Sequence, residues 1–322
     1  MAITYAMLQA VTHDLVMKEL ADGSFKSAAG FRKFYESREK LDGGNKISSP
    51  VIISGAEDDT TGGWYTGAES LSDSEKEDIT RAEVDWKTGY ETVLIAKTDI
   101  LKNKGSKTQI LNLLTSKVKI AGKRFDGRIA RSVFGSSANA KELNGLGSII
   151  AATGDYATLS VGDIKDENGA DAWLAYVKNL AGALTEVSMQ LTLGGATEGN
   201  DRPHWAVMKQ NTYNEVWGLL KDHQRILADD SSFSGAGHDQ KKVLMYNGIP
   251  HLIDSHMKAQ SIYYINNDYT KLYVHQDEDL ATQSFPFLEG SNAIKERVLF
   301  MGNLFCNNRN KNSELAGITV VA

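Results

Sequence analysis

The sequence predicts an α+β fold in which an extended β-arm precedes one long helix and a body of mixed helices and strands. Residues 79–95 alternate between apolar and polar side chains, as a strand with one apolar face does. Residues 110–133 place apolar side chains three or four positions apart, which is the spacing of one face of a helix. After residue 136, short helical and strand-like segments follow one another, which indicates a mixed body.

Composition indicates a globular protein and excludes several other classes. The chain has 322 residues, of which 41% are hydrophobic and 24% charged, an ordinary globular balance. Its one cysteine, Cys306, rules out a disulfide framework within the chain. No stretch approaches the roughly 18 apolar residues of a membrane span, and residues 1–10 lack the basic region of a secretory signal. We therefore expect a soluble protein with no membrane partner.

Charge is distributed unevenly along the chain, although the net charge is only −6. Residues 46–102 contain twelve acidic and six basic residues, whereas residues 103–135 contain eight basic residues and one acidic residue. A dedicated duplex-DNA-binding protein is usually basic overall. The pattern instead predicts an acidic arm that lies directly before a basic helix.

The N-terminal segment, residues 1–45, predicts two short amphipathic helices over 3–20 and 27–41. Their apolar faces are thin, and short isolated helices are marginal in water. We therefore expect this segment to be an arm that packs on something else.

The β-arm, residues 46–102, combines a short strand over 47–54, a glycine-rich loop and a long strand over 79–95. An isolated hairpin is marginally stable, and an exposed aromatic edge invites pairing. Either the rest of the chain covers this arm or a neighbouring copy does, and its flanks favour a projecting arm. The candidate contact residues are Trp64, Tyr65, Val84, Trp86 and Tyr90.

The long helix has a start signal at Ser106 and Gln109, which have capping-box spacing. Phe125 is the one aromatic residue of its basic stretch and falls on the apolar face, so a stacking platform for single-stranded nucleic acid is not indicated. Two interpretations stay open for the basic side chains, a solvated face or contact with packaged nucleic acid or an acidic partner. These side chains are Lys117, Lys119, Lys123, Arg124, Arg128 and Arg131.

The body after residue 136 predicts several shorter elements. Residues 143–152 contain a Gly-Leu-Gly turn and a short strand, and Asn247-Gly248 is a favoured pair for a hairpin turn. Helices are predicted over 171–191 and 212–227, and strands over 205–208, 243–246, 249–253, 261–265, 272–274, 298–305 and 318–321.

Catalytic motifs are largely missing from the sequence. Gly122-Lys123 is not followed by Ser or Thr, so it is no phosphate loop, and no G-x-S-x-G elbow occurs. The most metal-like cluster is His251, Asp254 and His256, but on a strand His251 points away from the other two. We therefore predict a structural protein without catalytic residues, metal or cofactor, and keep a metal-dependent hydrolase as an alternative.

The order of acidic arm, basic helix and mixed body resembles tailed-bacteriophage major capsid proteins, which share the fold first seen in phage Hong Kong 97. The segment Gly62-Gly63-Trp64-Tyr65-Thr66-Gly67-Ala68-Glu69, with 82–86, resembles the extended E-loop of that family, and 110–134 resembles its spine helix. Residues 144–150 resemble the step into the axial A-domain. Further matches are 246–250 and 264–269, which resemble strands and turns of that domain, and 302–309, which resembles the C-terminal strand.

This resemblance implies a division of the chain and a function. It implies an N-arm (1–45), an E-loop with its return strand (46–102), a P-domain spine helix (103–143), an A-domain (144–285) and C-terminal P-domain strands (286–322). It further implies hexamers and pentamers that form an icosahedral virion shell around double-stranded DNA, assembled in the bacterial cytoplasm, with an immature procapsid that expands. A portal is an expected partner. The short N-arm predicts a separate scaffolding protein or none, and an encapsulin-like compartment is the alternative with the same fold.

Overall fold

The computed structural model describes residues 29–53, 64–71, 78–96, 98, 113–137, 139–166, 168–220, 244–285 and 293–320. The predicted helix over 3–20, the helix start at Ser106 and the end of the 212–227 helix lie outside these ranges. No helix within them is long and apolar enough to cross a membrane.

Helices and strands in the described ranges follow the predicted α+β class. The helices are α1 (Ala29–Glu36), α2 (Leu113–Val133), α3 (Leu146–Ile149), α4 (Glu186–Gly194) and α5 (Gln210–Leu220). The strands are β1 (Glu39–Leu41), β2 (Lys46–Ile52), β3 (Ile79–Asp85), β4 (Lys87–Ala96), β5 (Tyr176–Gly182), β6 (Trp205–Met208), β7 (Met245–Tyr246), β8 (Ile249–Ile253), β9 (Ile262–Ile265), β10 (Thr270–His275), β11 (Ala281–Phe285), β12 (Ala293–Cys306) and β13 (Ser313–Ile318).

These strands form two main sheets and a hairpin. The five-stranded sheet has the order β1-β10-β12-β11, and β4 pairs with the other side of β12. The six-stranded sheet has the order β5-β13-β9-β6-β8-β7, and β2 and β3 form a separate antiparallel pair. The long strand β12 therefore organises the first sheet, because β4, β10 and β11 all pair with it.

Packing around the long helix α2 joins the two sheets. Phe125 of α2 contacts Phe300 of β12 edge to face, with ring centroids 6.4 Å apart. Gly89 of β4 makes room for this contact, since a Cβ there would lie 3.1 Å from the Phe125 ring. Buried side chains of α2 continue into one cluster that reaches Trp205 of the six-stranded sheet. The opposite face of that sheet is covered by α4 and α5.

Several predicted elements are confirmed. The strands over 47–54 and 205–208 and the body of the long helix are present. The predicted hairpin turn is also present, because Asn247 and Gly248 join β7 to β8 with φ angles of 49° and 75°. Two positive φ values in a row define the turn type that Asn-Gly favours.

The predicted helix over 171–191 is wrong. Residues 176–182 form strand β5, which pairs in parallel with β13 so that Tyr176 lies opposite Ser313. Helical spacing of apolar residues is a local signal, and pairing with a distant strand overrides it. The helix begins only at α4, where the Thr185 side chain accepts a hydrogen bond from the Ser188 backbone.

Three further predictions differ from the structure. The strand predicted within 143–152 is the one-turn helix α3, whose Leu146 and Ile149 side chains are buried. The helix predicted over 27–41 ends at Glu36, because residues 39–41 pair with β10 as strand β1. The strand predicted over 318–321 lies earlier, since β13 ends at Ile318.

Candidate assembly interface

The arm, defined here as β2, β3 and the residues between them, is buried at its base and exposed at its far end. At the base, Ile47 pairs with Val84, and these side chains are only 2% and 6% exposed. At the far end, Ile52 pairs with Ile79, and these are 68% and 67% exposed. The core of the chain therefore anchors the arm but leaves the Ile52 and Ile79 side chains uncovered.

The described part of the arm loop adds more exposed apolar side chains. Trp64 is fully exposed, and Tyr65 and Leu71 are mostly exposed. Several large exposed apolar side chains in one segment indicate a protein–protein contact. Glu69 and Asp78 are exposed nearby, so the same region is also negatively charged.

The predicted single apolar face over 79–95 is wrong beyond Trp86. Buried positions are even before this residue (Ala82 and Val84) and odd after it (Glu91 and Val93). Trp86 lies between β3 and β4, where the chain changes its pairing partner from β2 to β12. Tyr90 and Leu94 consequently lie on the outer side of the sheet, 61% and 54% exposed.

Two of the predicted contact residues are occupied within their own chain. Val84 belongs to the core cluster. The Trp86 indole N–H donates to the Gly44 carbonyl at 2.9 Å, and its ring contacts His275 with centroids 6.0 Å apart. Trp64, Tyr65 and Tyr90 stay exposed, and their contact with a neighbouring copy stays a prediction.

The pair of strands β4 and β12 has acidic side chains on one face and basic side chains on the other. Direct cross-strand partners share a face, so Glu91 and Glu296 lie on the side of Val93 and Val298, towards α2. The opposite side, called the outer face below, is apolar and positively charged. It comprises Tyr90, Thr92, Leu94, Lys295, Arg297 and Leu299.

The predicted basic helix face is partly neutralised by the chain itself. The nearly buried Glu91 carboxylate contacts the guanidinium groups of Arg124 and Arg128, each at 3.1 Å. Arg131 donates to the Gly127 carbonyl of its own helix at 3.2 Å. Lys119 is exposed, whereas Lys117 and Lys123 are half-buried. Part of the basic charge of the helix is therefore paired with an acidic residue of the same molecule.

Arg309 is a buried residue that sequence reasoning missed, because it lies in a polar run typical of a surface turn. It is completely buried, and burial lowers the pKa of its guanidinium. The group fixes the segment between α3 and β5 against the end of β12. It does so by donating to the backbone carbonyls of Ser148, Ile149, Ala151, Gly154 and Trp173.

The metal-like cluster does not converge on one point. His251 is buried, and its Nδ1 lies 2.9 Å from the carbonyl of Ile249. Asp254 instead accepts hydrogen bonds from the backbone N–H groups of Gly30 and His256 at 2.9 and 2.8 Å. Among the described residues no group of three potential ligands could hold a metal ion. The hydrolase alternative therefore has no site to support it.

No family model matches the chain, and no curated protein does. A structure titled as the capsid asymmetric unit of cyanophage A-1(L) matches with a TM-score of 0.71 and 15% identity over 98% of this chain and 100% of that chain. The chain has the Hong Kong 97-type capsid fold.

Two more structures share this Hong Kong 97-type fold. The capsid of a native GTA particle matches with a TM-score of 0.63 and 13% identity over 95% of both chains. The holo-SrpI encapsulin complex of Synechococcus elongatus matches with a TM-score of 0.64 and 8% identity over 100% of this chain and 98% of that one. In the terms of this fold we interpret the arm as the E-loop and α2 as the spine helix.

Proposed function

We propose that this chain is the major capsid protein of a tailed bacteriophage and acts as a structural subunit, not as an enzyme. Copies associate as hexamers and pentamers and close an icosahedral head around double-stranded DNA. The fold similarity to capsids over nearly the whole chain supports this proposal. The observation that carries it is the set of exposed apolar side chains on the arm, Ile52, Trp64 and Ile79.

The arm needs a partner for a physical reason. A two-stranded hairpin with exposed apolar residues on its distal half is unstable and prone to association. One aromatic side chain such as Trp64 removes about 150–250 Å² from water when buried, which contributes roughly 4–6 kcal/mol at ~25 cal/mol per Å² before entropic costs. Because each copy in a shell repeats the contact, even modest net energies per copy support a closed assembly.

The outer face is the surface that best complements the arm. The arm segment is acidic, and Glu69 and Asp78 are exposed, as Trp64 is. The outer face presents Tyr90 and Leu94 together with Lys295 and Arg297. We propose that the arm of one copy lies on the outer face of the next. Such a contact joins two different surfaces, so repetition about an axis generates a ring.

The remaining partners belong to the same proposal. Exposed Lys119 and Arg131 are the candidates for contact with packaged DNA, because Arg124 and Arg128 already pair with Glu91. A portal, and a separate scaffolding protein if one is used, complete the head. Assembly takes place in the bacterial cytoplasm, and the mature protein resides in the virion.

An encapsulin-like compartment is the second candidate. The similarity to an encapsulin over the whole chain favours it, as does the partial neutralisation of the basic helix by Glu91. Nuclease treatment of purified shells separates the two candidates. Protected double-stranded DNA supports a phage head, whereas shells that hold only protein support a compartment.

Cysteine crosslinking tests the proposed arm contact in the full chain. Cys306 is buried, so introduced thiols react first. A Glu69→Cys, Leu94→Cys double variant, which keeps Trp64, is expected to give a ladder of disulfide-linked copies under mild oxidation, since each copy supplies one thiol to each neighbour. The matched control is Glu69→Cys with Leu191→Cys, which places the second thiol at an exposed position on α4.

The control pair is expected to remain monomeric on a non-reducing gel. A ladder from the control pair but not from the first pair would place the arm on another surface. Electron microscopy of the unmodified protein checks the function itself. Uniform closed shells support it, and a monomer that persists at high concentration contradicts it.

A further inference from the structure

Residues 29–41, called the clasp below, connect the two sheets by a route outside the main strands. The clasp consists of α1, a two-residue turn and β1. Its first end contacts the six-stranded sheet, and its last three residues pair with β10 of the five-stranded sheet. This segment therefore has one attachment to each sheet.

The first attachment is a buried carboxylate at the start of α1. Asp254, at the end of β8, is completely buried and accepts hydrogen bonds from the Gly30 and Phe31 backbone N–H groups at 2.9 and 3.4 Å. The His256 Nδ1 atom lies 3.3 Å from the same carboxylate. A carboxylate at this position satisfies N–H groups that have no partner within the helix and interacts favourably with the helix dipole.

The middle of the clasp is a wedge between the six-stranded sheet and α2. Phe34 is completely buried and contacts Trp205 of β6 edge to face, with centroids 5.1 Å apart. Gly30 fits so closely that an added Cβ would lie 2.8 Å from the Phe134 ring and 3.1 Å from Val207. A larger residue at this position therefore requires the Phe134 ring or the clasp to move.

The second attachment is a carboxylate beside the five-stranded sheet. Asp279 accepts a hydrogen bond from the Tyr35 hydroxyl at 2.7 Å and from Arg38 at 2.8 Å, and its carboxylate contacts Lys40 at 2.9 Å. Burial alone would raise the pKa of Asp279, but hydrogen bonds from Lys40, Tyr35 and Arg38 together lower it. The carboxylate is therefore charged at neutral pH and holds the far end of α1 and β1.

A pocket separates part of α1 from α2. Its volume is about 290 Å³, and it is lined by Phe31, Arg32, Tyr35, Glu36, Asp126 and Leu280. Burial raises the pKa of Asp126, which Arg32 partly opposes. On this side α1 is held by its two ends and not by continuous packing along its length.

We infer that the clasp sets the angle between the two sheets and that it opens as a unit to let this angle change. Polar anchors at both ends, a short buried face with Phe31 and Phe34, and an incompletely packed side make it easier to detach than a sheet strand. Opening leaves both sheets intact, because β1 is a three-residue edge strand. This inference rests on contacts within one copy and does not require the proposed function.

A Gly30→Ala variant tests the inference, because the added methyl group would lie 2.8 Å from the Phe134 ring while the clasp is closed. Its matched control is Gly122→Ala in α2, where an added Cβ meets nothing within 4 Å. Hydrogen exchange of the unassembled full chain is the first measurement. The Gly30→Ala variant is expected to accelerate exchange over 29–41 by about tenfold or more, while the control leaves it unchanged.

The angle itself is measured as a distance between spin labels. Leu191→Cys on α4 and Gln283→Cys on β11 are exposed positions, one beside each sheet. We expect a narrow distance distribution in the parent and in Gly122→Ala, and a broad or shifted one in Gly30→Ala. A released clasp with an unchanged distribution would overturn the inference and leave the clasp with a stabilising role only.

Asp279→Asn repeats the test from the other end if Gly30→Ala does not fold. It weakens the charged contacts with Arg38 and Lys40 without adding volume. Faster exchange over 29–41 with a broadened distance distribution supports the clasp, and faster exchange alone contradicts it. Failure of the parent to form shells would leave these measurements unaffected, so the two proposals fail independently.

Discussion

The clasp and the arm are neighbouring segments that pack on the same core, but they differ in where their side chains find partners. Clasp residues find their partners inside the molecule, as Phe34 does with Trp205 and Arg38 with Asp279. The outer arm keeps Trp64, Ile52 and Ile79 exposed. A segment whose groups are paired internally determines the shape of one copy, whereas a segment with unpaired apolar groups is available to another copy.

Truncating one aromatic residue in each region is the strongest way to separate them. Phe34→Ala removes a fully buried ring from the clasp and is expected to lower the free energy of unfolding by about 3–5 kcal/mol. Trp64→Ala removes an exposed ring from the arm and is expected to change it by less than about 0.5 kcal/mol. Urea unfolding of the unassembled subunits measures both values.

Shell assembly is expected to depend strongly on Trp64, although the stability of the subunit does not. Trp64→Ala abolishes or strongly weakens shell formation, as judged by sedimentation, although the subunit is as stable as the parent. If Trp64→Ala assembles normally, or if both variants lose the same stability, the contrast between the two regions does not hold.

Acid is expected to affect the body of the molecule through His251. Burial lowers the pKa of this imidazole to about 4, and its hydrogen bond to the Ile249 carbonyl opposes the shift only in part. The unfolded chain, with an imidazole pKa near 6.5, takes up a proton first as the pH falls. Stability is therefore full above about pH 6.5 and decreases by up to roughly 3 kcal/mol as the pH falls towards 4.

His251→Gln provides the comparison, because glutamine does not titrate. Its unfolding free energy is expected to vary less between pH 6.5 and 4 than that of the parent, whatever its absolute value at neutral pH. Identical pH profiles for the two proteins would exclude His251 as the source of the dependence. Such acid sensitivity belongs to the six-stranded sheet and not to the arm, since His251 of β8 packs between Tyr246 of β7 and Tyr264 of β9.

Salt has the smallest expected effect and distinguishes exposed from buried charge. Raising the salt from 0.1 to 1 M shortens the screening length from about 10 to 3 Å, so a contact between the acidic arm and Lys295 or Arg297 is expected to lose up to about 1 kcal/mol per copy. Light scattering of assembly reports this change.

The clasp contact at buried Asp254 is expected to persist, which hydrogen exchange of Gly30 and Phe31 verifies. Salt-indifferent assembly would leave apolar burial as the sole basis of the arm contact.

Local periodicity predicted those elements that do not depend on distant partners. The long helix and the Asn247-Gly248 hairpin follow from spacing and turn chemistry alone. Strand β5 was assigned to a helix because its pairing with β13 is a long-range property. The switch of buried positions from even to odd at Trp86 has the same cause. The chain changes its pairing partner there, and the spacing of apolar residues does not predict such a change.

The candidate interface was predictable in position but not in detail. A glycine-rich loop with Trp64 and Tyr65 before an alternating strand indicates a projecting arm. The buried state of Glu91 follows from Arg124 and Arg128, which reach it only after α2 has packed on β4. Asp254 was grouped with a metal-like cluster, because its clasp partner Gly30 is more than two hundred positions away in the sequence.

The central place of β12 affects the order of events during synthesis. Strands β4, β10 and β11 leave the ribosome before residues 293–306, yet each of them pairs with that segment. The outer face, to which β12 contributes Lys295, Arg297 and Leu299, does not exist on a nascent chain that lacks it. Under the proposed arm contact, an arm that emerges early has no docking surface on neighbouring unfinished chains of the same polysome, and association is deferred until each copy has folded.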